Sequence, residues 1–245
     1  MENPAPQAPP RRWVVTGASR GIGRAIAERA LAAGDRVCLV ARGSEIVEDA
    51  RKLGDRAMGI VADVTVPAQV DAACSRVAEA WGGIDVLANS AGLHRGGRVE
   101  SLALDDWDAT IATNLSGPLH AVRAALPHMG AGGSIVNVGA VVGFRGFPGD
   151  SCYGASKAGL AGLTNVLASE LARRGIRVNL VVPGFVMTEM TSGVSERARE
   201  AIVAKVPLGR MGEAGEIADV CFWVAGSTYM TGSTVFTDGG LMCGL

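Results

Sequence analysis

The chain has 245 residues, of which 48% are hydrophobic and 19% charged, and its formal net charge is −1. That length and apolar content suit one α/β domain with a large core better than two small domains. Near-neutral charge without a basic cluster argues against nucleic acid as a partner, and no apolar run approaches the roughly 18–20 residues of a membrane span. Five cysteines (Cys38, Cys74, Cys152, Cys221 and Cys243) are scattered and odd in number, without metal-ligand spacing. They read as reduced thiols of a cytoplasmic protein with no metal site. Residues 1–11 read as a disordered leader without the apolar core of a signal peptide, and 12–245 as one domain.

The first apolar run, Trp13 to Val15, predicts a buried strand, and a helix is predicted to start at about Gly21. Between them lies T-G-A-S-R-G-I-G at 16–23. Glycines at a strand-to-helix turn let the backbone approach a phosphate, and the free N–H groups of the first helical turn face it. Gly17, Ser19, Arg20, Gly21, Ile22 and Gly23 are therefore candidates for holding a dinucleotide. The spacing is G-x-x-x-G-x-G, distinct from the G-x-G-x-x-G of other dinucleotide folds.

Strands are then predicted over 36–41, 57–62, 84–88, 134–139, 177–182 and 234–237. Helices are predicted over 44–53, 67–81, 105–129, 151–173 and 214–225, with a mixed segment over 187–210. Such alternation implies right-handed crossovers and a doubly wound, Rossmann-type parallel sheet of about seven strands, with helices on both faces. Ligands then sit beyond the carboxyl ends of the strands.

The second strand ends at Ala41-Arg42 with no carboxylate to bind ribose hydroxyls. Arg20 and Arg42 could instead flank a 2′-phosphate, since guanidinium pairs well with phosphate, and this favours NADP(H). Asp63 and Val64 after strand three fit an adenine contact, and Asn89, Ala91 and Gly92 after strand four fit a floor under the nicotinamide half. Pro183, Gly184 and Val186, with Thr188 beyond them, fit the carboxamide end.

Tyr153 and Lys157 lie four apart on a predicted helix and share a face. An ammonium beside a phenol favours the phenolate and would bring it toward working pH. Asn114 sits inside the long helix, four residues before Pro118. Pro118 has no N–H for the Asn114 carbonyl, which could hold a water at a kink. His94, His120 and His128 lack partners at metal spacing and read as surface or loop residues, although His94 and Arg95 could edge a cleft.

T-G-A-S-R-G-I-G, N-S-A-G at 89–92, Asn114, Y-G-A-S-K at 153–157 and P-G-F-V at 183–186 resemble the short-chain dehydrogenase/reductase family in order and spacing. P-G-F-V-M-T-E-M and V-P-L-G-R-M-G are similar to segments of its 3-oxoacyl-[acyl-carrier-protein] reductases. The resemblance implies a homotetramer in which Tyr153 donates a proton to a carbonyl, Lys157 helps bind ribose, Asn114 holds a relay water and NADPH supplies a hydride. It places a serine at position 140, where this chain has Ala140. That departure leaves open a slower reductase, a substitute donor such as Ser151 or Asn137, a non-redox isomerase, dehydratase or cyclase using the same pair, or a catalytically impaired serine-to-alanine variant that binds cofactor. Arg173-Arg174 resembles half of a carrier-docking patch whose other half falls in the uncharged stretch 130–133. A free or carrier-tethered carbonyl substrate is thus implied.

Overall fold

Continuous apolar runs bounded by glycine or proline form the strands, as expected for a sheet covered on both faces. The computed structural model describes residues 9–193 and 195–243. Its strands are β1 (Arg12–Thr16), β2 (Arg36–Ala41), β3 (Ala57–Val61), β4 (Ile84–Asn89), β5 (Met129–Val138), β6 (Arg177–Pro183), β7 (Val186–Met187), β8 (Gly212–Glu213) and β9 (Thr234–Thr237). Seven form one parallel sheet in the order β3-β2-β1-β4-β5-β6-β9, and β7 pairs with β8 apart from it. The winding reverses between β1 and β4, so a crevice opens at their carboxyl ends.

The helices are α1 (Gly21–Ala32), α2 (Glu45–Lys52), α3 (Pro67–Trp81), α4 (Leu104–Ile111), α5 (Gly117–Ala125), α6 (Ser151–Leu171), α7 (Glu196–Val203) and α8 (Ala214–Gly226). On one face, Ile26 and Ala27 of α1 and Ile217 and Cys221 of α8 pack on Trp13, Val15 and Leu39. On the other, Val70 and Val77 of α3, Val122 of α5 and Leu167 of α6 pack on Val14, Leu87 and Ile135. Among the described residues no helix is long and apolar enough to cross a membrane, and no group of three or more His, Cys, Asp or Glu could hold a metal ion.

Three expectations are corrected and a fourth is refined. Most of the expected leader lies outside the described residues, but Arg11 belongs to the fold, with its N–H and Nε donating to Asp35 at 2.9 and 3.0 Å. The helix expected over 105–129 is broken by a π-helical turn at Ala112–Ser116 and ends before a 3₁₀ turn at Leu126–His128. Pro127, which cannot donate to the preceding turn, explains that ending. Strand β5 therefore begins at Met129, opposite Ile84, and its register shifts across the glycine-rich stretch before Ser134 meets Val86. The mixed segment resolves into β7, a 3₁₀ turn at Glu189–Thr191 and α7.

Asp35 stabilises the amino end of β1. Its Oδ2 accepts from the indole Nε1 of fully buried Trp13 at 2.8 Å. Asp35→Ala would leave that donor unsatisfied, which costs about 1–3 kcal/mol. We expect the thermal midpoint to fall by about 3–10 °C, and an unchanged midpoint in a melting curve would contradict this role.

Candidate active site

The glycine turn leads into α1 with no capping side chain and no acidic residue in its first turn. The N–H groups there are thus turned toward the crevice and favour an anion. Gly17 has φ of 67°, and a Cβ on it would lie 2.6 Å from the Ala91 Cα. Gly21 has φ of 57°, with the Thr188 side chain just beyond it. The turn is locked to β4 by Thr16, whose Oγ1 accepts from the N–H groups of Ser90 and Ala91, both at 3.2 Å. Ser19, Ile22 and Gly23 occupy this same turn and helix start.

At the carboxyl end of β4, Asn89 Nδ2 donates to Asn137 Oδ1 and Asn137 Nδ2 to Thr164 Oγ1, each at 2.9 Å. Asn89 Oδ1 is buried and has no partner among the described residues. Gly92 follows, and Leu93 is clasped by Asn114. The N–H of Leu93 donates to Asn114 Oδ1 at 2.7 Å, and Asn114 Nδ2 donates to the Leu93 carbonyl at 2.9 Å and Ser156 Oγ at 3.1 Å. The kink predicted near Asn114 is the π-helical turn, closed by Gly117 N–H donating to the Ala112 carbonyl. Single π-helical turns inside α-helices are frequent at functional sites.

Helix α6 carries Tyr153 and Lys157 on one face. Lys157 is buried, its Nζ donating to the Val138 carbonyl at 2.8 Å and lying 5.7 Å from the Tyr153 ring centre. Ala140 is extended just beyond β5 and accepts through its carbonyl from Gly143 N–H at 3.0 Å. On the far side of the crevice Pro183 ends β6, and Gly184 N–H donates to the Thr237 carbonyl at 3.0 Å. Val186 is buried in β7, and Thr188 begins the 3₁₀ turn beside the glycine turn.

Three further candidates have partners the sequence did not show. Arg20 Nη1 is ion-paired with Glu189 at 2.8 Å rather than free for a phosphate, although both side chains are exposed. Arg42 is exposed at the tip of β2, and the Glu45 carboxylate lies against neighbouring Gly43. Asp63 Oδ1 accepts from Thr65 N–H and Oγ1 at 2.8 Å, and His120 Nδ1 lies 2.9 Å from the Val64 carbonyl.

A family model described as enoyl-(acyl carrier protein) reductase matches residues 17–242. The chain is 40% identical to the 3-oxoacyl-[acyl-carrier-protein] reductase FabG of Escherichia coli (strain K12) over 235 residues, 93% of this chain and 96% of that one. It is 34% identical to the solved short-chain dehydrogenase/reductase (glucose/ribitol dehydrogenase) of Brucella melitensis, with a TM-score of 0.91 over 94% and 96% of the two chains. The chain belongs to the short-chain dehydrogenase/reductase family. It is an oxidoreductase of that family. Another similar solved structure is a blue fluorescent protein from a metagenomic library in complex with NADPH, 36% identical, TM-score 0.90, covering 95% and 98% of the chains.

Within this short-chain dehydrogenase/reductase, the expected depression of the Tyr153 pKa is not what the free protein shows. Burial, and then the Asp150 carboxylate, push the phenol up to about 12. Burial pushes the Lys157 ammonium down to about 8, so its help to the phenolate is outweighed. Of the proposed substitutes for the missing serine, Asn137 is fully buried with its amide committed to Asn89 and Thr164, and Ser151 is exposed at the start of α6.

Sequence reasoning missed Asp150, which pairs with His94 at 2.8 Å, and Ser156, which accepts from Asn114 and donates to the Tyr153 carbonyl at 2.7 Å. Asp150 is three residues before Tyr153, a spacing that was the only signal for it. Up to pH about 10.5, where a phenol of ordinary pKa near 10 is mostly ionised, we expect Tyr153 to stay protonated. Wild type and Tyr153→Phe should then show the same absorbance rise at about 295 nm on titration. An extra tyrosinate in the wild type below that pH would contradict it.

Proposed function

We propose that the protein reduces a ketone to a secondary alcohol with NADPH, acting on a 3-oxoacyl thioester or a polyketide-like carbonyl, free or carrier-tethered. The observation that carries this reading is the convergence of the Tyr153–Lys157 face, the β4 tip and the uncapped glycine turn on one crevice. The relatives' names support a carbonyl substrate, and the NADPH complex of a similar structure supports the cofactor.

The residues fit that cofactor. The α1 amino terminus suits a pyrophosphate. Lys157 Nζ uses one donor on Val138 and has two left for ribose hydroxyls, and buried Asn89 Oδ1 is an acceptor without a partner. The tip of β2 presents Arg42 with no carboxylate in the strand, which suits a 2′-phosphate. The exposed Arg20–Glu189 pair contributes only about 0–1 kcal/mol, so a phosphate can displace it.

Bound NADPH supplies the hydride. Tyr153, protonated at neutral pH, gives its proton to the carbonyl oxygen, and the buried Lys157 charge then stabilises the phenolate left behind. Asn114 holds the loop after β4 against α6 and so sets the wall of the site. Arg174 Nη2 donates to the carbonyls of Leu126 and Met129 at 2.8 and 3.3 Å, and both Arg173 and Arg174 are exposed at the end of α6. Exposed Val166 on α6 and Trp223 on α8 suit burial between copies in a cytoplasmic homotetramer.

Ala140, lacking a donor, favours a second reading in which the same pair moves protons without net redox change. Following NADPH absorbance with a 3-oxoacyl thioester, an enoyl thioester and cyclic ketones separates the two. We expect ketone-dependent consumption that Tyr153→Phe abolishes, and product without NADPH loss would select the second reading. Ala140→Ser should raise the rate about tenfold or more, and an unchanged rate would contradict the assignment of position 140. Arg42→Ala should weaken NADPH binding about tenfold while leaving NADH unaffected; equal effects on both in a fluorescence titration would remove Arg42 from the phosphate site.

A further inference from the structure

Ala140 gives a substrate oxygen no donor, so a carbonyl oxygen protonated by Tyr153 would depend on the phenol alone. The loop after β4 carries a group that the reading above leaves unused. His94 stands edge-on to Tyr153, with ring centroids 4.9 Å apart and planes at 84°. Its Nε2 lies 2.8 Å from Asp150 Oδ1, and Nδ1 has no protein partner among the described residues. The imidazole is about 40% exposed, on the loop that follows the carboxyl end of β4. Asp150, but neither His94 nor Tyr153, also lines a cavity of about 400 Å³ with Arg98, Glu100, Val142, Phe147 and Ser151.

The pair is built, not incidental. Gly97 N–H donates to the Gly149 carbonyl at 2.8 Å, and Gly97 bridges to Asp150 in parallel. Cys152 Sγ donates to the Arg95 carbonyl at 2.9 Å, and Arg95 Nη1 is held by Asp106 of α4 at 2.6 Å. These ties fix the loop 94–97 on the start of α6, so His94 and Tyr153 keep their mutual placement. A donor fixed in this way stabilises developing charge without reorganising.

We propose that His94 is a catalytic residue: held through Nε2 by Asp150, it donates a hydrogen bond to the carbonyl oxygen that Tyr153 protonates, filling the role that Ala140 cannot. This rests on the ketoreductase reading and assigns the substrate oxygen to a position within reach of both the Tyr153 hydroxyl and His94 Nδ1. The carbonyl carbon accepts the hydride and the oxygen accepts the Tyr153 proton. His94 supplies a hydrogen bond and neither gains nor loses electrons. With Nε2–H on a carboxylate, Nδ1 donates only from the imidazolium, and Asp150 raises the pKa of that ring above its ordinary value. Besides Asp150 and Tyr153 of α6, the charged neighbours are Arg95, already paired with Asp106, and Arg98 and Glu100 on the rim of the same cavity.

The test measures His94→Leu in the wild type and in Ala140→Ser. In the wild type kcat should fall about tenfold or more with the KM for NADPH unchanged. In Ala140→Ser, where the serine supplies the second donor, the loss should shrink to under about threefold, because two groups serving one oxygen are not additive. Equal losses in both backgrounds, or none in the wild type, would overturn the proposal. Asp150→Asn is the second variant. It should lower the His94 pKa and move the high-pH fall of kcat toward lower pH, and an unmoved profile would count against it. If NADPH consumption is insensitive to Tyr153→Phe, it is the ketoreductase reading that fails, whereas Tyr153-dependent consumption indifferent to His94 sinks this inference alone.

Discussion

A buried ammonium organises the site. Lys157 sits beneath the crevice with a single carbonyl, that of Val138, for company, and burial has already lowered its pKa to about 8. A charge in that position is costly unless further acceptors arrive. Among the described residues no second acceptor bonds it, and a ligand with hydroxyl groups at the end of β5 would supply one. Tyr153, one helical turn earlier, is desolvated in the same way but in the opposite sense, since burial keeps a phenol neutral. On the proposed reading a bound nucleotide completes both groups.

Around this pair, buried amides convert sheet geometry into loop geometry. Asn89, Asn137 and Thr164 link β4, β5 and α6 through three side chains, so the tips of two central strands cannot move independently of the helix carrying Tyr153. Asn114, reached through the π-helical turn, clasps both polar main-chain groups of Leu93. Such a network raises the cost of any half-made arrangement, because each unpaired amide would be stranded in a low-dielectric interior. The orientation of the loop bearing His94 follows from those bonds and from the ties to Gly149 and Cys152.

Much of this was legible in the residues. The apolar runs and the helix after Gly21 are where periodicity placed them, and α3 spans the predicted 67–81, bounded by Pro67 and a left-handed Gly82. A break near Asn114 followed from Pro118. Pro127 signals the end of the long helix equally plainly, although the apolar periodicity runs on past it to Met129. The β7–β8 pair was not legible, because two residues per strand make no period. The protonation of Tyr153 was also beyond reach: spacing shows that an ammonium is near a phenol, but not how little solvent either one sees. His94 with Asp150, and Arg20 with Glu189, join residues 56 and 169 positions apart, and no local pattern records such meetings.

The central claim is that Lys157 is held for the hydroxyl groups of a bound nucleotide, and proton linkage tests it directly. At pH about 8 the free amine is half protonated, and acceptors supplied by NADPH would raise its pKa, so binding should take up as much as about half a proton. Calorimetric titration of NADPH in buffers of different ionisation enthalpy measures that number. The account expects uptake near pH 8 that disappears in Lys157→Met, whereas binding with no proton exchange, or uptake that survives the substitution, would contradict it.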